Sequence, residues 1–398
     1  MTGPTRATRD VVIVGGGMLG AAVAWFLADA AAFDGRVLVV ERDPTYSQAA
    51  TSFTNSCIRQ QFSEPVNVRI SQYCAEYIHS FRERLGGDPD IPEIFLHAFG
   101  YMYLAADDAS AAVLRRNQAM QASLGAGTRI LSPDEIVAAY PFYEVGDIVC
   151  GSHNRVDEGY WDSGTVFDWW RRMARRRGVE FVHDEVVGID RAGDRVTGVR
   201  LASGGDVACA YVVNTAGTRA AAVAAMAGLA LPVEARKRYT FVFETPEPLD
   251  RDLPLTIDPS GVHVRTDGAA YMAGCTPELD PAVAPDDFGF DHDIFERKVW
   301  PVLAHRIPAF ERLRITSQWV GHYAYNTLDQ NIVVGPHPEV TNFLFANGCS
   351  GHGLQQSPAV GRGLAEWITH GEFRSLDLAP LGYARIVEDR PLVEANVI

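Results

Sequence analysis

The stretch Asp10-Val11-Val12-Ile13-Val14-Gly15-Gly16-Gly17-Met18-Leu19-Gly20 decides how the chain is read. A continuous β-branched run such as Val11 to Val14 is expected of a strand buried on both faces of a parallel sheet. Gly15, Gly17 and Gly20 fit GxGxxG, Ala21 to Ala32 reads as an alanine-rich helix, and Arg36 to Val40 as a second strand ending at Glu41. Together they make a βαβ unit of about thirty residues. Gly15 permits the strand-to-helix turn, Gly17 lets the backbone approach a pyrophosphate, and Gly20 lets the helix pack closely on the strand. The helix N-terminus adds free N–H groups and a positive dipole end, which favour phosphate. Glu41 is placed to accept ribose hydroxyls and opposes a 2′-phosphate, which sets NADP last among dinucleotides. A glycine-rich turn without a ligand is the bland alternative. The flanking strand, the helix and the acid at the end of the second strand weigh against it.

Outward from this unit, Ser52 to Arg84 has a helical pattern with a polar lead-in from Asn55 to Phe62, and Asp88 to Cys150 reads as an excursion into a second domain. Asp168 to Arg177 is an arginine-rich helix with a solvated face, and Trp169 and Trp170 are packing residues. Val179 to His183 is a short strand, and Val186 to Ala208 alternates as an antiparallel meander. Tyr211 to Asn214 is another buried strand, running into the small-residue turn Thr215-Ala216-Gly217. Leu231 to Leu313, with strand-like pieces and a helix from Asp291 to Leu303, forms the larger part of the second domain. Near the other end come the glycine- and aromatic-rich Gly321 to Asn326, a strand at Phe343 to Ala346, the loop Gly348 to Gly353 and a helix from Pro358 to Thr369. Strand, glycine loop and helix make a second phosphate- or ring-binding geometry.

Composition excludes several classes. With 398 residues, 47% hydrophobic and 21% charged, the chain is globular and long enough for two or three domains. A net charge of −15 repels phosphate backbones and anionic lipid, so neither nucleic acid nor a membrane surface is an expected partner. No apolar run reaches the length of a membrane span. No signal peptide is read in Met1 to Asp10, and the expectation is a cytoplasmic protein. The six cysteines have no CxxC pair, so reduced thiols and no metal site are expected.

Val12 to Glu41, Asn214-Thr215-Ala216-Gly217 and Asn347-Gly348-Cys349-Ser350-Gly351-His352-Gly353 together resemble the D-amino-acid oxidase-like family of FAD-dependent amine oxidoreductases, which includes glycine oxidase, sarcosine oxidase and dimethylglycine dehydrogenase. Arg59 to Ser63, Tyr325 to His337 and Ser350 to Gln356 look closest to the branch of mitochondrial FAD-dependent oxidoreductase domain proteins linked to complex I assembly, and to bacterial sarcosine-oxidase-like proteins.

The resemblance implies an α/β (α+β) architecture: a Rossmann-like FAD domain of residues 1–87, 151–230 and 320–398, with an antiparallel-sheet substrate domain inserted as 88–150 and 231–319. It implies that Gly15, Gly17, Met18, Leu19 and Gly20 serve the pyrophosphate, Glu41 and Arg42 the adenosine ribose, and Thr51 and Ser52 the phosphates. Val186 would bind adenine, Ala216 and Gly217 would pack at the ADP end, and Gly348, Gly351, His352, Gly353, Leu354 and Gln355 would line the flavin ring. In sarcosine-oxidase-like members a cysteine aligned with His322 holds the flavin covalently. No cysteine lies between Cys275 and Cys349 here, so noncovalent FAD is implied. Gln355 replaces a substrate-binding lysine, and Met272 lies near the position of an oxygen-activating one, which favours a dehydrogenase over an oxidase.

The implied reaction is oxidation of the C–N bond of an amino acid or N-alkyl amino acid, with oxygen or an electron-transfer partner as acceptor. Glycine or D-amino-acid oxidation, and a flavin-bound assembly protein without turnover, stand as alternatives. A carboxylate-bearing substrate needs a cationic clamp, and Arg59 supplies a planar fork; a surface arginine paired with Glu64 is the structural alternative. His322, Tyr323 and Tyr325 are candidates to shape the amine pocket. Packed aromatics and a satisfied core histidine are the simpler account of the same residues.

Overall fold

In the computed structural model, which describes residues 7–396, the strand Ala7–Val14 lies at the centre of a sheet. It pairs in parallel with Val37–Glu41 on one side (Val11 opposite Val37) and with Asp206–Asn214 on the other (Val12 opposite Val212). Glu180–His183 continues the parallel order beyond Val37–Glu41, and Phe343–Asn347 does so beyond the second half of Asp206–Asn214. The first half of Asp206–Asn214 instead carries the antiparallel hairpin Val186–Ala192 and Arg195–Leu201.

The β-branched run is buried on both faces, and alternation assigns each face its layer. Val11 and Ile13 pack with Val23, Ala24 and Leu27 of the helix Met18–Asp29 and with Val360 and Leu364 of the helix Gly353–His370. Val12 and Val14 face the opposite layer, with Val223 and Ala224 of the helix Ala220–Met226. The two long helices touch through small residues. A Cβ on Gly361 would lie 2.7 Å from that of Ala22.

A second, mostly antiparallel sheet runs in the order Arg314–Asn326, Val233–Glu244, Ala270–Cys275, His263–Asp267, Leu255–Ile257, Tyr101–Ala105, Cys150–Asn154, Arg129–Leu131. Its one parallel pairing, Leu255 opposite Tyr101, joins the two inserted stretches. A small sheet of Cys57–Ile58, Gly159–Trp161 and Leu96–His97 sits apart.

Three expectations shift. The helix expected across Ser52 to Arg84 begins only at Pro65, which occupies its first turn; the lead-in is extended around Cys57–Ile58 and carries Arg59 inward. The glycine- and aromatic-rich Gly321 to Asn326 is the end of the long strand Arg314–Asn326, so the boundary placed at 319/320 falls inside a strand of the second sheet, as the one at 150/151 falls inside Cys150–Asn154. The helix expected from Pro358 to Thr369 begins at Gly353, with Pro358 inside it. Among the described residues no helix is long and apolar enough to cross a membrane.

Candidate functional site

A single cavity of about 590 Å³ runs from the end of Val37–Glu41, past the first glycine turn, to the inner face of the second sheet. At one end Glu41 accepts from the backbone N–H of Gly16 (2.7 Å) and of Asp43 (2.8 Å), one at each carboxylate oxygen. Each oxygen keeps a second lone pair for a hydroxyl. Gly15 sits at φ +99°, and a Cβ there would meet the Thr215 carbonyl at 2.8 Å, so the Thr215–Gly217 turn presses directly on the first glycine turn.

Two helix N-termini open onto the cavity wall, those of Met18–Asp29 and Gly353–His370, and neither cap residue supplies a side-chain bond. Thr51 covers only the Met18 N–H, at 3.0 Å. The first turns therefore present amide hydrogens and positive dipole ends to whatever lies between them. Four buried polar atoms on lining residues have no partner among the described residues: Asn55 Oδ1, Arg238 Nε, His263 Nδ1 and His352 Nδ1. A cavity with an acid at one end, two helix N-termini on its wall and orphaned polar atoms at the other fits FAD in its chemistry.

Of the residues singled out from sequence, Gly15, Gly17, Met18, Leu19, Glu41, Arg42, Thr51, Val186, Ala216, Gly217, Gly351, His352, Gly353, Leu354 and Gln355 line this cavity, as do Arg59, His322 and Tyr323. Four do not. Gly20 lies beneath it, where a Cβ would come within 2.0 Å of the Gly15 carbonyl oxygen. The Ser52 hydroxyl donates to the Tyr46 carbonyl at 2.7 Å. Gly348 is packed against Val233 and Asn326. Tyr325 lies two residues further along its strand, beneath the Arg236 guanidinium at 4.0 Å.

Arg59 is buried at 4% exposure and makes no ion pair with Glu64. Its N–H donates to Gln355 Oε1 (2.8 Å), and its Nη2 is bonded to His352 Nε2 (2.9 Å) and to the Asn396 carbonyl. The guanidinium lies over the Phe62 ring at 4.3 Å. Burial disfavours its charge, but the neighbouring Tyr103, Tyr101, Glu394 and Glu158 outweigh that and hold it above its ordinary value.

Opposite, the strand His263–Asp267 contributes His263, which sequence reading passed over. It shares a face with Arg265 two residues on, and that spacing in an alternating strand was the available signal. Burial first, then the charges of Arg265, Arg238 and Arg59, push His263 down to about 4, so the ring is neutral at neutral pH. Asn55 Nδ2 approaches its Nε2 at 3.4 Å. His322 is stacked on Phe288 (centroids 4.4 Å) and is also lowered by burial; its Nε2 meets the Asp287 carbonyl at 2.9 Å, so that nitrogen carries the proton. Arg238 lines the same end, over the Tyr323 ring and paired with Asp280 at 2.8 and 3.1 Å. Met272 lies in the adjoining strand, its sulfur 3.4 Å from Arg265 Nη2.

A largely parallel nucleotide-type sheet and a mostly antiparallel sheet over a shared cavity define a mixed α/β architecture of the flavoenzyme class. Residues 10–367 match the DAO family model, FAD dependent oxidoreductase, and the chain belongs to this family. It is 38% identical to FAD-dependent oxidoreductase domain-containing protein 1 of Xenopus laevis, over 99% of this chain and 85% of that protein. It is 27% identical to the mitochondrial sarcosine dehydrogenase of Homo sapiens, over 93% of this chain and 41% of that protein. Among solved structures, L-proline dehydrogenase from P. horikoshii superposes with a TM-score of 0.83 at 26% identity, covering 96% of this chain and 99% of that one. Glycine oxidase from Geobacillus kaustophilus shares the fold, with a TM-score of 0.79 at 22% identity over 94% and 98% of the two chains. The protein is thus an FAD-dependent oxidoreductase with the fold of amino-acid oxidases and dehydrogenases.

Proposed function

We propose that this protein oxidises the C–N bond of an amino acid or an N-alkyl amino acid, with Arg59 holding the substrate carboxylate. The observation that carries the reading is a buried guanidinium on the cavity wall, without a carboxylate partner among the described residues, whose Nη1 makes no hydrogen bond. A buried cation in that state is completed by an incoming anion.

The residues named for the nucleotide would hold FAD noncovalently: Glu41 at the ribose, the Gly15–Gly20 turn at the pyrophosphate, and Gly351 to Gln355 at the ring. Bound there, FAD supplies an acceptor for a hydride equivalent from the carbon next to nitrogen, which leaves an imine for water to hydrolyse. The chain does the rest. Arg59, Arg238 and Arg265 surround a neutral His263, and this positive field disfavours an ammonium group, so the amine is selected in the uncharged form that can release electrons. His322, its Nε2 proton committed to the Asp287 carbonyl and its ring held neutral by burial, orients the amine end of the cavity without adding a charge there. The sarcosine dehydrogenase and L-proline dehydrogenase likenesses support a secondary amine as substrate.

An anaerobic screen of sarcosine, dimethylglycine, L-proline and D-amino acids, read as bleaching of the flavin band, tests this. Reduction by a secondary or N-methyl amino acid is expected; reduction only by glycine or D-amino acids points to the oxidase alternative, and no reduction by any of them ends the enzyme reading. Arg59→Ala should raise the apparent dissociation constant of the reducing substrate about tenfold or more, with FAD content retained.

A further inference from the structure

We infer that the C-terminal segment Leu392 to Asn396 is a positioning element for Arg59; this rests on the clamp reading above. The segment lies along the loop Arg59 to Ser63 and is sewn to it by polar groups. Glu394 is fully buried. Its Oε1 accepts from the Ser63 N–H (2.8 Å), the Ser63 hydroxyl (2.7 Å) and the Asn396 N–H (3.1 Å), and its Oε2 accepts from Asn67 Nδ2 (2.9 Å). The Ala395 N–H donates back to the Ser63 hydroxyl at 2.8 Å, and Asn396 Nδ2 donates to the Gln61 carbonyl at 3.0 Å. The other edge of the segment is fastened to Asp329, whose carbonyl takes the Glu394 N–H (3.0 Å) and whose carboxylate takes the Leu392 N–H (3.0 Å).

The result converges on one guanidinium. Nη2 carries two hydrogens, and its two partners are the Asn396 carbonyl and His352 Nε2. Nε faces the Gln61 carbonyl at 3.4 Å. With those directions taken, the plane of the fork is set, and Nη1 is the nitrogen left without a partner among the described residues. On the far side of the loop, buried Glu158 accepts from the Gln60 N–H (2.7 Å) and Gln61 Nε2 (2.9 Å), so Arg59 is held between two buried acids without forming an ion pair to either.

The make-up of the segment separates positioning from simple core filling. Val393 is 50% exposed and Ala395 is exposed, Leu392 is half-buried against the core beneath the first sheet, and Glu394 and Asn396 are buried. Next to Arg59 and its loop the inward groups are thus the hydrogen-bonding ones, which fix direction more than they bury apolar area.

The test is titration of the FAD-loaded protein with pyrrole-2-carboxylate, and with pyrrole as the uncharged control, followed as a perturbation of the flavin visible band. Glu394→Ala and deletion of residues 392–398 should each weaken pyrrole-2-carboxylate about tenfold, with pyrrole binding and FAD content held within about twofold. Arg59→Ala serves as the reference. If Arg59→Ala leaves the carboxylate affinity unchanged, the clamp reading fails and this inference with it. If Arg59→Ala weakens binding while Glu394→Ala and the deletion do not, or if they tighten it, the inference alone is overturned. Should those two variants lose FAD or fail to fold, the double variant Ser63→Ala with Asn396→Ala removes side-chain ties between segment and loop and decides on the same comparison: carboxylate-selective weakening supports the inference, and unchanged binding overturns it.

Discussion

Gly20 shows how much a single missing side chain carries. The carbonyl oxygen of Gly15 occupies the space a methyl group would need, at 2.0 Å, and Thr215 Oγ1 stands at 3.0 Å on another side. Gly20→Ala must push the helix Met18–Asp29 off its strand and spoil the amide cradle above it. The expected cost is about 1–3 kcal/mol of stability, and the purified variant should show little flavin absorbance beside the parent protein; full retention of FAD would show that the close approach is unnecessary. Gly20, Glu41 and Arg59 were legible in the sequence because each is tied to a short local pattern or a polar break. His263 was not, because its role comes from three arginines, two of them on other strands or loops, that folding brings around it. A cluster of aromatics marks Tyr325 as a pocket residue in the sequence, but although it shares a strand face with Tyr323 it lies one step further along, under Arg236 and outside the cavity.

Among the elements, the helix Gly353–His370 carries the least expected feature. Pro358 has no N–H to give the Leu354 carbonyl, and the Ser357 hydroxyl donates to that oxygen at 2.7 Å in its place. A proline reads as a helix start, so the sequence expectation began the helix there, whereas the hydroxyl beside it lets the helix run back to Gly353 and put its amides on the cavity. Ser357→Ala should leave a buried carbonyl short of a partner and cost about 1 kcal/mol, seen as a lower midpoint in urea unfolding at unchanged slope. Strand and helix types along the first sheet follow from local pattern, while the long strand Arg314–Asn326 hides its period behind glycine and aromatic residues that pack across the domain junction.

For the whole molecule, one buried acid, Glu158, makes stability depend on pH in a way that can be worked out. Glu158 lies under the Arg59 loop and is raised from its ordinary 4.5 to about 7, by burial first and against the hydrogen bonds of Gln61, Gln60 and Asn154. Between about pH 4.5 and 7 the folded chain therefore holds a proton at this site that the unfolded chain has released, so the contribution of Glu158 to stability is greatest below 4.5 and falls as pH rises toward 7. Glu158→Gln should flatten that part of the stability profile by a few kcal/mol at most; an unchanged slope between parent and variant would show that the group ionises inside the fold without penalty.

The packing of Gly361 against Ala22 has a consequence for biosynthesis. On the ribosome the helix Met18–Asp29 emerges some tens of seconds before the partner Gly353–His370 that covers it, at about 5–20 residues per second. Throughout that interval this face of the nascent chain lacks its partner helix, the kind of transiently exposed apolar surface that chaperones hold.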